Sequence, residues 1–243
     1  CRKLYFGDSP CGNSVLGSDE SINDLTAEQM RGYFASRYAP NNMVFACAGN
    51  FEWGKICSTV EQGCTKWEKQ PADRKLEDYP GSIRKERIEK ANLSREHICL
   101  ISPAVSAQDK RRFAAAILAT IVGDDVGSRF FWELVDKAIA ETASMQFSPM
   151  DGTGAFYSYI SCGGQNVPTV LDAVKNVFES LCNSGVTEEE MRTAKNKILS
   201  ALVIKNELPM GRLVDLGFNW VYSQQYRTIE DDINAIKGVT IDE

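Results

Sequence analysis

The sequence predicts an α+β fold in which long helices cover one face of a largely antiparallel sheet. Three observations lead there. Capped helical stretches alternate with short apolar runs bounded by turn residues. An Asp151-Gly152 turn joins two of those runs as a hairpin. After residue 82 the order reads β-β-α-α-β-β-α-α with long helices, an α+β layout of helices on one face of a sheet.

The first elements are turn-rich. Gly7-Asp8-Ser9-Pro10, Gly12-Asn13 and Gly17-Ser18-Asp19 punctuate residues 1–25. A helix then opens at Thr26, with Gln29 at capping-box spacing and Met30, Tyr33, Phe34 and Tyr38 recurring along one face. Pro40-Asn41-Asn42 stops it. Met43 to Ala48 reads as a buried strand ended by Gly49-Asn50, and a helix is expected from Trp53 to Gln62. One strand cannot form a sheet. Residues 1–63 therefore read as half a domain, with an exposed sheet edge and a tendency to self-associate.

Residues 64–82 change character. Charges of alternating sign, interrupted by Pro71, Pro80 and Gly81, mark a linker. Residues 83–243 then form a second domain. Ile83 to Ala91 and Glu96 to Pro103 read as strands, Arg111 to Val122 as a helix, and Ser128 as the cap of another helix carrying Phe131, Leu134 and Val135. Strands follow over 143–147 and 155–162. Helices are expected over 167–182, over 187–205 with Thr187 and Glu190 at capping-box spacing, from Pro209 to about Gln224, and over a short acidic C-terminal stretch.

Composition excludes several classes of function. The chain has 243 residues, 43% apolar and 25% charged, which fits one or two ordinary globular domains. A net charge of −6 with no basic stripe gives nucleic acid nothing to bind. No apolar run approaches the roughly 20 residues that span a bilayer, and Cys1 to Phe6 lead into no signal-peptide core, so no membrane partner is expected. A start without Met reads either as a chain beginning partway through a longer one or as a processed end. The eight cysteines, at positions 1, 11, 47, 57, 64, 99, 162 and 182, form no C-x-x-C pair. Several lie in apolar runs, and they read as buried free thiols in a reducing, cytoplasmic setting.

Chemistry is sparse. The single histidine, His97, shares a strand face with Arg95 and Cys99. It reads as a structural residue; a metal shared with Cys99 lacks a third ligand, and a Cys–His nucleophile pair lacks an orienting group. Asp124-Asp125 and Glu188-Glu189-Glu190 lie beside helix starts, where carboxylates cap and favour the positive dipole end. Glu230-Asp231-Asp232 reads as a solvated helix start, and Gly152-Thr153-Gly154 as a turn without the lysine of a phosphate loop.

Two stretches add a resemblance. Pro10-Cys11-Gly12-Asn13-Ser14-Val15-Leu16-Gly17 is continued by Glu20-Ser21-Ile22 and Leu25-Thr26; Tyr33 is followed by Tyr38-Ala39-Pro40-Asn41-Asn42-Met43-Val44 and Ala48-Gly49-Asn50. Their order and spacing resemble the later half of the first domain of M16 peptidases, the family of insulinase-like enzymes and the mitochondrial processing peptidase. The rest is similar more loosely. His97-Ile98-Cys99-Leu100 looks like the opening strand of the second M16 domain, Gly123 with Gly127-Ser128-Arg129-Phe130-Phe131-Trp132-Glu133-Leu134 like its Ser-Arg segment, and Thr187 to Glu190 with Ala194-Lys195 like a later helix.

The resemblance implies an M16 peptidase-like (LuxS/MPP-like) fold, and a parent protein that is a zinc metalloendopeptidase acting on peptides or unfolded segments. The family's H-x-x-E-H zinc motif has no counterpart here, so no catalytic residue and no metal ligand is assigned, no zinc is expected in this chain, and substrate-binding residues stay unassigned. The chain is expected to be inert, contributing part of a substrate-enclosing chamber and subunit contacts, as a homo-oligomer or paired with another M16-like domain. An Arg–Tyr pair that holds substrate in many members is also missing: Val135 follows Glu133-Leu134, and Glu141 stands about where the Tyr is expected. A non-catalytic scaffold or partner subunit of the same family is the alternative reading.

Overall fold

The computed structural model describes residues 1–71 and 76–243. The central part of the expected linker, residues 72–75, lies outside the described residues. The chain divides into two compact units: Cys1–Asn13 with Glu77–Val203 and Thr228–Glu243, and Ser14–Leu76 with Ile204–Arg227.

The first unit is built on a three-stranded antiparallel sheet of order β1-β3-β2, formed by β1 (Glu96–Ala104), β2 (Thr142–Pro149) and β3 (Gly154–Cys162). β2 and β3 are the expected hairpin. Gly152 takes φ 74 at its turn, a conformation open to glycine, and Gln108 ties the turn down through Asp151 Oδ1 at 2.7 Å and the Gly152 N–H at 3.1 Å. Strand alternation sends Ile98, Leu100, Ala143, Met145 and Ile160 to the helical side.

The helices of this unit, in chain order, are α1 (Arg2–Phe6), α5 (Arg112–Gly123), α6 (Val167–Ser184), α7 (Glu188–Glu207, here as far as Val203) and α9 (Ile229–Gly238). α5, sequence RFAAAILATIVG, is apolar nearly all round because two layers cover it. Val122 enters a core with Phe130, Leu134, Met145, Ile160 and the α6 residues Val170, Val174 and Val177. Ile117 and Ile121 enter a second core with Met191 and Ala194 of α7 and Ile236 of α9. Gly123 ends α5 against β2 so closely that a Cβ there would sit 2.1 Å from the Met145 nitrogen.

The second unit holds α2 (Asp19–Asn23), α3 (Ala27–Arg37), α4 (Trp53–Cys64) and α8 (Pro209–Ser223). Thr26 and Gln29 close the expected capping box on α3. Asn41 is bonded in both directions to the backbone of Gln70, at 2.7 and 3.1 Å, and Lys205 and Asp215 pair at 2.5 Å. No strand occurs among the described residues of this unit.

Three expectations are corrected. Met43–Ala48 and Ile83–Ala91 are irregular rather than strands, and Ile83 and Ile88 are exposed. The sheet ladders join only β1, β2 and β3 among the described residues, so neither run has a strand to pair with, and no single run forms a ladder alone. The helix expected after Ser128 does form over 129–135, with π-type geometry across Phe131–Val135, and Ser128 caps it by accepting from the Phe131 N–H at 3.1 Å. Ala138 at φ 54 then reverses the chain into β2. The thiols are free, but only Cys162 is buried; Cys99 is exposed because its strand position falls on the open side of the sheet.

Candidate functional site

The open side of the sheet carries the one histidine. Register places His97 opposite Ser161 and Cys99 opposite Tyr159, and Tyr159 opposite Ser144 on β2. His97 Nδ1 lies 2.8 Å from the Tyr159 hydroxyl, with the two rings stacked at 5.9 Å between centroids. Arg95 Nε pairs with Glu141 Oε1 at 2.7 Å. Cys1–Asn13 lies beside the same strands: the Cys1 thiol reaches the carbonyl of Cys99, two positions from His97, and Tyr157, near Arg2, Tyr5 and Cys11, has its phenol pKa raised, chiefly by burial.

The remaining charged positions hold structure together. Asp124 binds Lys197 Nζ through Oδ2 at 2.6 Å, joining the end of α5 to α7. Asp125 is exposed. Arg129 donates to both Glu190 oxygens, at 2.7 and 2.9 Å, and to the Gly185 carbonyl at 2.7 Å. Glu190 also caps α7, accepting from the Thr187 N–H at 2.8 Å. Its carboxyl pKa is lowered, first by the hydrogen bond from Arg129 and against the opposing effect of burial. Glu189 pairs with Arg192, and Asp231 caps α9 by accepting from the Thr228 N–H at 2.7 Å. A cavity of about 220 Å³ beside this region is lined by Gly127, Trp132, Glu190, Thr193, Lys197 and neighbours, with no histidine or cysteine among them.

These residues do not fit zinc. Among the described residues no three His, Cys, Asp or Glu side chains come together in a way that could hold a metal ion. The nearest candidate pair, His97 and Cys99, is two strand positions apart, and His97 has one ring nitrogen engaged by Tyr159. Val135 is half-buried at the end of the Phe131–Val135 turn, and Glu141 is held by Arg95, so neither offers the contacts of an Arg–Tyr substrate pair.

Tyr159 is the residue that sequence reasoning missed. The strand 155–162 was legible, but its register against β1 was not, and only register brings Tyr159 beside His97. Lys197, the partner of Asp124, was equally invisible, because the pair closes over a long loop.

Comparison with known proteins now gives the class. The family profile described as "Peptidase M16 inactive domain" matches residues 24–198. The chain belongs to the M16 peptidase family and represents its inactive-domain type. It is 26% identical over 243 residues to an uncharacterized zinc protease of Mycobacterium tuberculosis, covering 98% of this chain and 56% of that protein. A similar zinc protease of Streptomyces coelicolor is 27% identical over 98% of this chain and 54% of its own length. The chain thus spans little more than half the length of these relatives. The crystal structure of a peptidase M16 inactive domain from Pseudomonas fluorescens superposes with TM-score 0.85 at 20% identity, over 99% of this chain and 58% of that one. A chain in complex III2 from Candida albicans superposes with TM-score 0.86 at 16% identity, over 99% of this chain and 60% of that one. These two likenesses establish the α+β, M16-like fold. No described helix is long and apolar enough to cross a membrane.

Proposed function

We propose that this chain is the non-catalytic part of an M16 zinc metalloendopeptidase that cleaves peptides or unfolded segments, and that it supplies part of the wall enclosing the substrate together with subunit contacts. The carrying observation is the match of residues 24–198 to the family's inactive domain, in a chain whose described residues assemble no metal site. The relatives' description as zinc proteases supports zinc in the longer protein, held by residues outside this chain. The described residues bind no zinc of their own in this reading.

In that role the first unit acts by shape rather than by proton transfer. Its two cores hold α5 between the sheet and the outer helices, which leaves the other side of the sheet to face whatever lies in the chamber. Peptides, rather than folded proteins, suit a wall of exposed strand side chains. Pairing with a second M16-like domain or a second copy completes the enclosure.

A second reading, a scaffold or partner subunit of the same family without activity, is favoured by one observation: Val135 and Glu141 stand where a substrate-holding Arg–Tyr pair is expected. The two readings part on the longer polypeptide. An upstream H-x-x-E-H with its downstream Glu, bound zinc and chelator-sensitive cleavage of an unstructured peptide support the peptidase. A longer polypeptide without zinc or cleavage supports the scaffold.

A further inference from the structure

Trp132 borders two cavities in the first unit. One, of about 220 Å³, is lined by Glu190 and Lys197, whose charges are already matched by Arg129 and Asp124. The other, of about 370 Å³, opens between the 129–135 helix and α6 and is lined by Arg129, Trp132, Glu133, Asn176, Val177 and Ser180. Most of the polar groups in that second lining have no partner in the chain.

We infer that the cavity between the 129–135 helix and α6 binds one uncharged pyranose ring, stacked on Trp132. Four observations carry it. Trp132 is 53% exposed although Phe130 and Leu134 of the same helix are fully buried, so a flat apolar face with a polar N–H is presented beside a cavity. That indole N–H has no partner among the described residues, and neither do the side chains of Asn176 and Ser180, one turn apart on α6. Together they offer an N–H donor, an amide that donates and accepts, and a hydroxyl, the mixture that ring hydroxyls need because each of them also donates and accepts. Arg129 adds a buried Nη1 without a partner to the same lining.

The third observation is that the walls are fixed. Val177 is buried, and Phe130 packs edge-on against Phe178 of α6 at 5.9 Å, which ties the 129–135 helix to α6. A cavity already formed loses little entropy on binding. The fourth is charge. On the two walls Arg129 pairs with Glu190, Glu133 with Lys137 and Lys175 with Glu179. Asp136 and Asp172, one turn beyond Trp132 and one turn before Asn176, are the remaining charges on these helices near the cavity. An anion in the cavity would meet Glu133 and a cation would meet Arg129, which leaves a neutral polar ring as the occupant. The site uses no residue of the sheet's open side, so it goes beyond the function proposed above.

The test uses the intact nitrogen-labelled chain, whose 4 tryptophans give one indole N–H signal each. Trp132→Phe identifies the signal of Trp132. The probes are the methyl pyranosides of glucose, galactose, mannose and N-acetylglucosamine, with tetramethylammonium and inorganic phosphate as charged comparisons. At least one pyranoside should move the Trp132 indole saturably, with Kd on the order of 1–10 mM, while the other indoles stay still. Asn176→Ala should weaken that binding about fivefold, the order expected for one hydrogen bond, and Trp132→Ala should abolish it, both with unchanged backbone amide spectra. The matching disaccharide separates two sources of the ring: tighter binding points to the end of a glycan and equal binding to a free sugar, and either supports the site. A Trp132 indole unmoved by all the pyranosides, a larger response to tetramethylammonium or phosphate, or unchanged affinity in Asn176→Ala overturns the inference. Binding is read without zinc or turnover, so its failure leaves the zinc test of the longer polypeptide standing.

Discussion

Glu190 does two jobs with one carboxylate: it takes both N–H groups of the Arg129 fork, at 2.7 and 2.9 Å, and it caps α7 by accepting from the Thr187 N–H at 2.8 Å. Both side chains are largely shielded, at 16% and 28% exposure. Removing the charge leaves a partly buried guanidinium without its counter-ion. Glu190→Gln should cost about 1–3 kcal/mol, read as a lower urea midpoint at unchanged slope. A change below about 0.5 kcal/mol, the scale of a surface substitution, would remove this pair from the account.

The same pair sets a dependence on pH. The Glu190 carboxyl is held below its ordinary value when folded, first by the Arg129 hydrogen bond. Its contribution is therefore full above the unfolded-state pKa, near 4.3 for a glutamate, and is lost as pH falls through the lower folded pKa. Urea midpoints of the wild type should fall more steeply than those of Glu190→Gln once pH drops below that unfolded value. Parallel acid profiles for the two proteins would show that Glu190 is not a stabilising carboxylate.

Gly123 makes a third test. A Cβ there would stand 2.1 Å from the Met145 nitrogen and 2.5 Å from its Cβ, both fixed in the sheet. Helix propensity alone would favour alanine by about 1 kcal/mol. The clash wins, and Gly123→Ala should lose about 1–3 kcal/mol, since α5 cannot back away without opening both cores. A stabilised variant would mean that α5 and β2 are not in close contact at Gly123.

The second unit predicts association. Met30, Tyr33 and Phe34 line one stripe of α3, the ring of the C-cap residue Tyr38 stacks on Phe34, and each of the four is half or more exposed. Such a stripe belongs in a core. The isolated chain should bind a hydrophobic dye and self-associate in a way that added salt does not reverse. Phe34→Ser should reduce both effects. A strict monomer by light scattering, with no dye binding, would contradict this.

How much was legible from sequence follows from what each element needs. Thr26/Gln29 and Thr187/Glu190 were readable as capping boxes because the partners are three residues apart, and both boxes form. The β2–β3 hairpin was readable from Asp151-Gly152 for the same reason. Met43–Ala48 and Ile83–Ala91 had strand composition but not strand structure, since a strand is made by its neighbour and the neighbour is not encoded locally. Ala138 at φ 54 gave no signal, because the turn there uses a residue that ordinarily avoids that region. Long-range pairs such as His97–Tyr159 and Asp124–Lys197 depend on register and packing, and no local pattern announces them.

The most direct test of the central claim is the zinc content of the purified chain, measured together with peptidase activity on an unstructured peptide. The account predicts neither bound zinc nor cleavage, because the described residues bring no three metal-binding side chains together. Stoichiometric zinc with cleavage abolished by a chelator would contradict it, and would make His97 and its neighbours a catalytic centre rather than a wall.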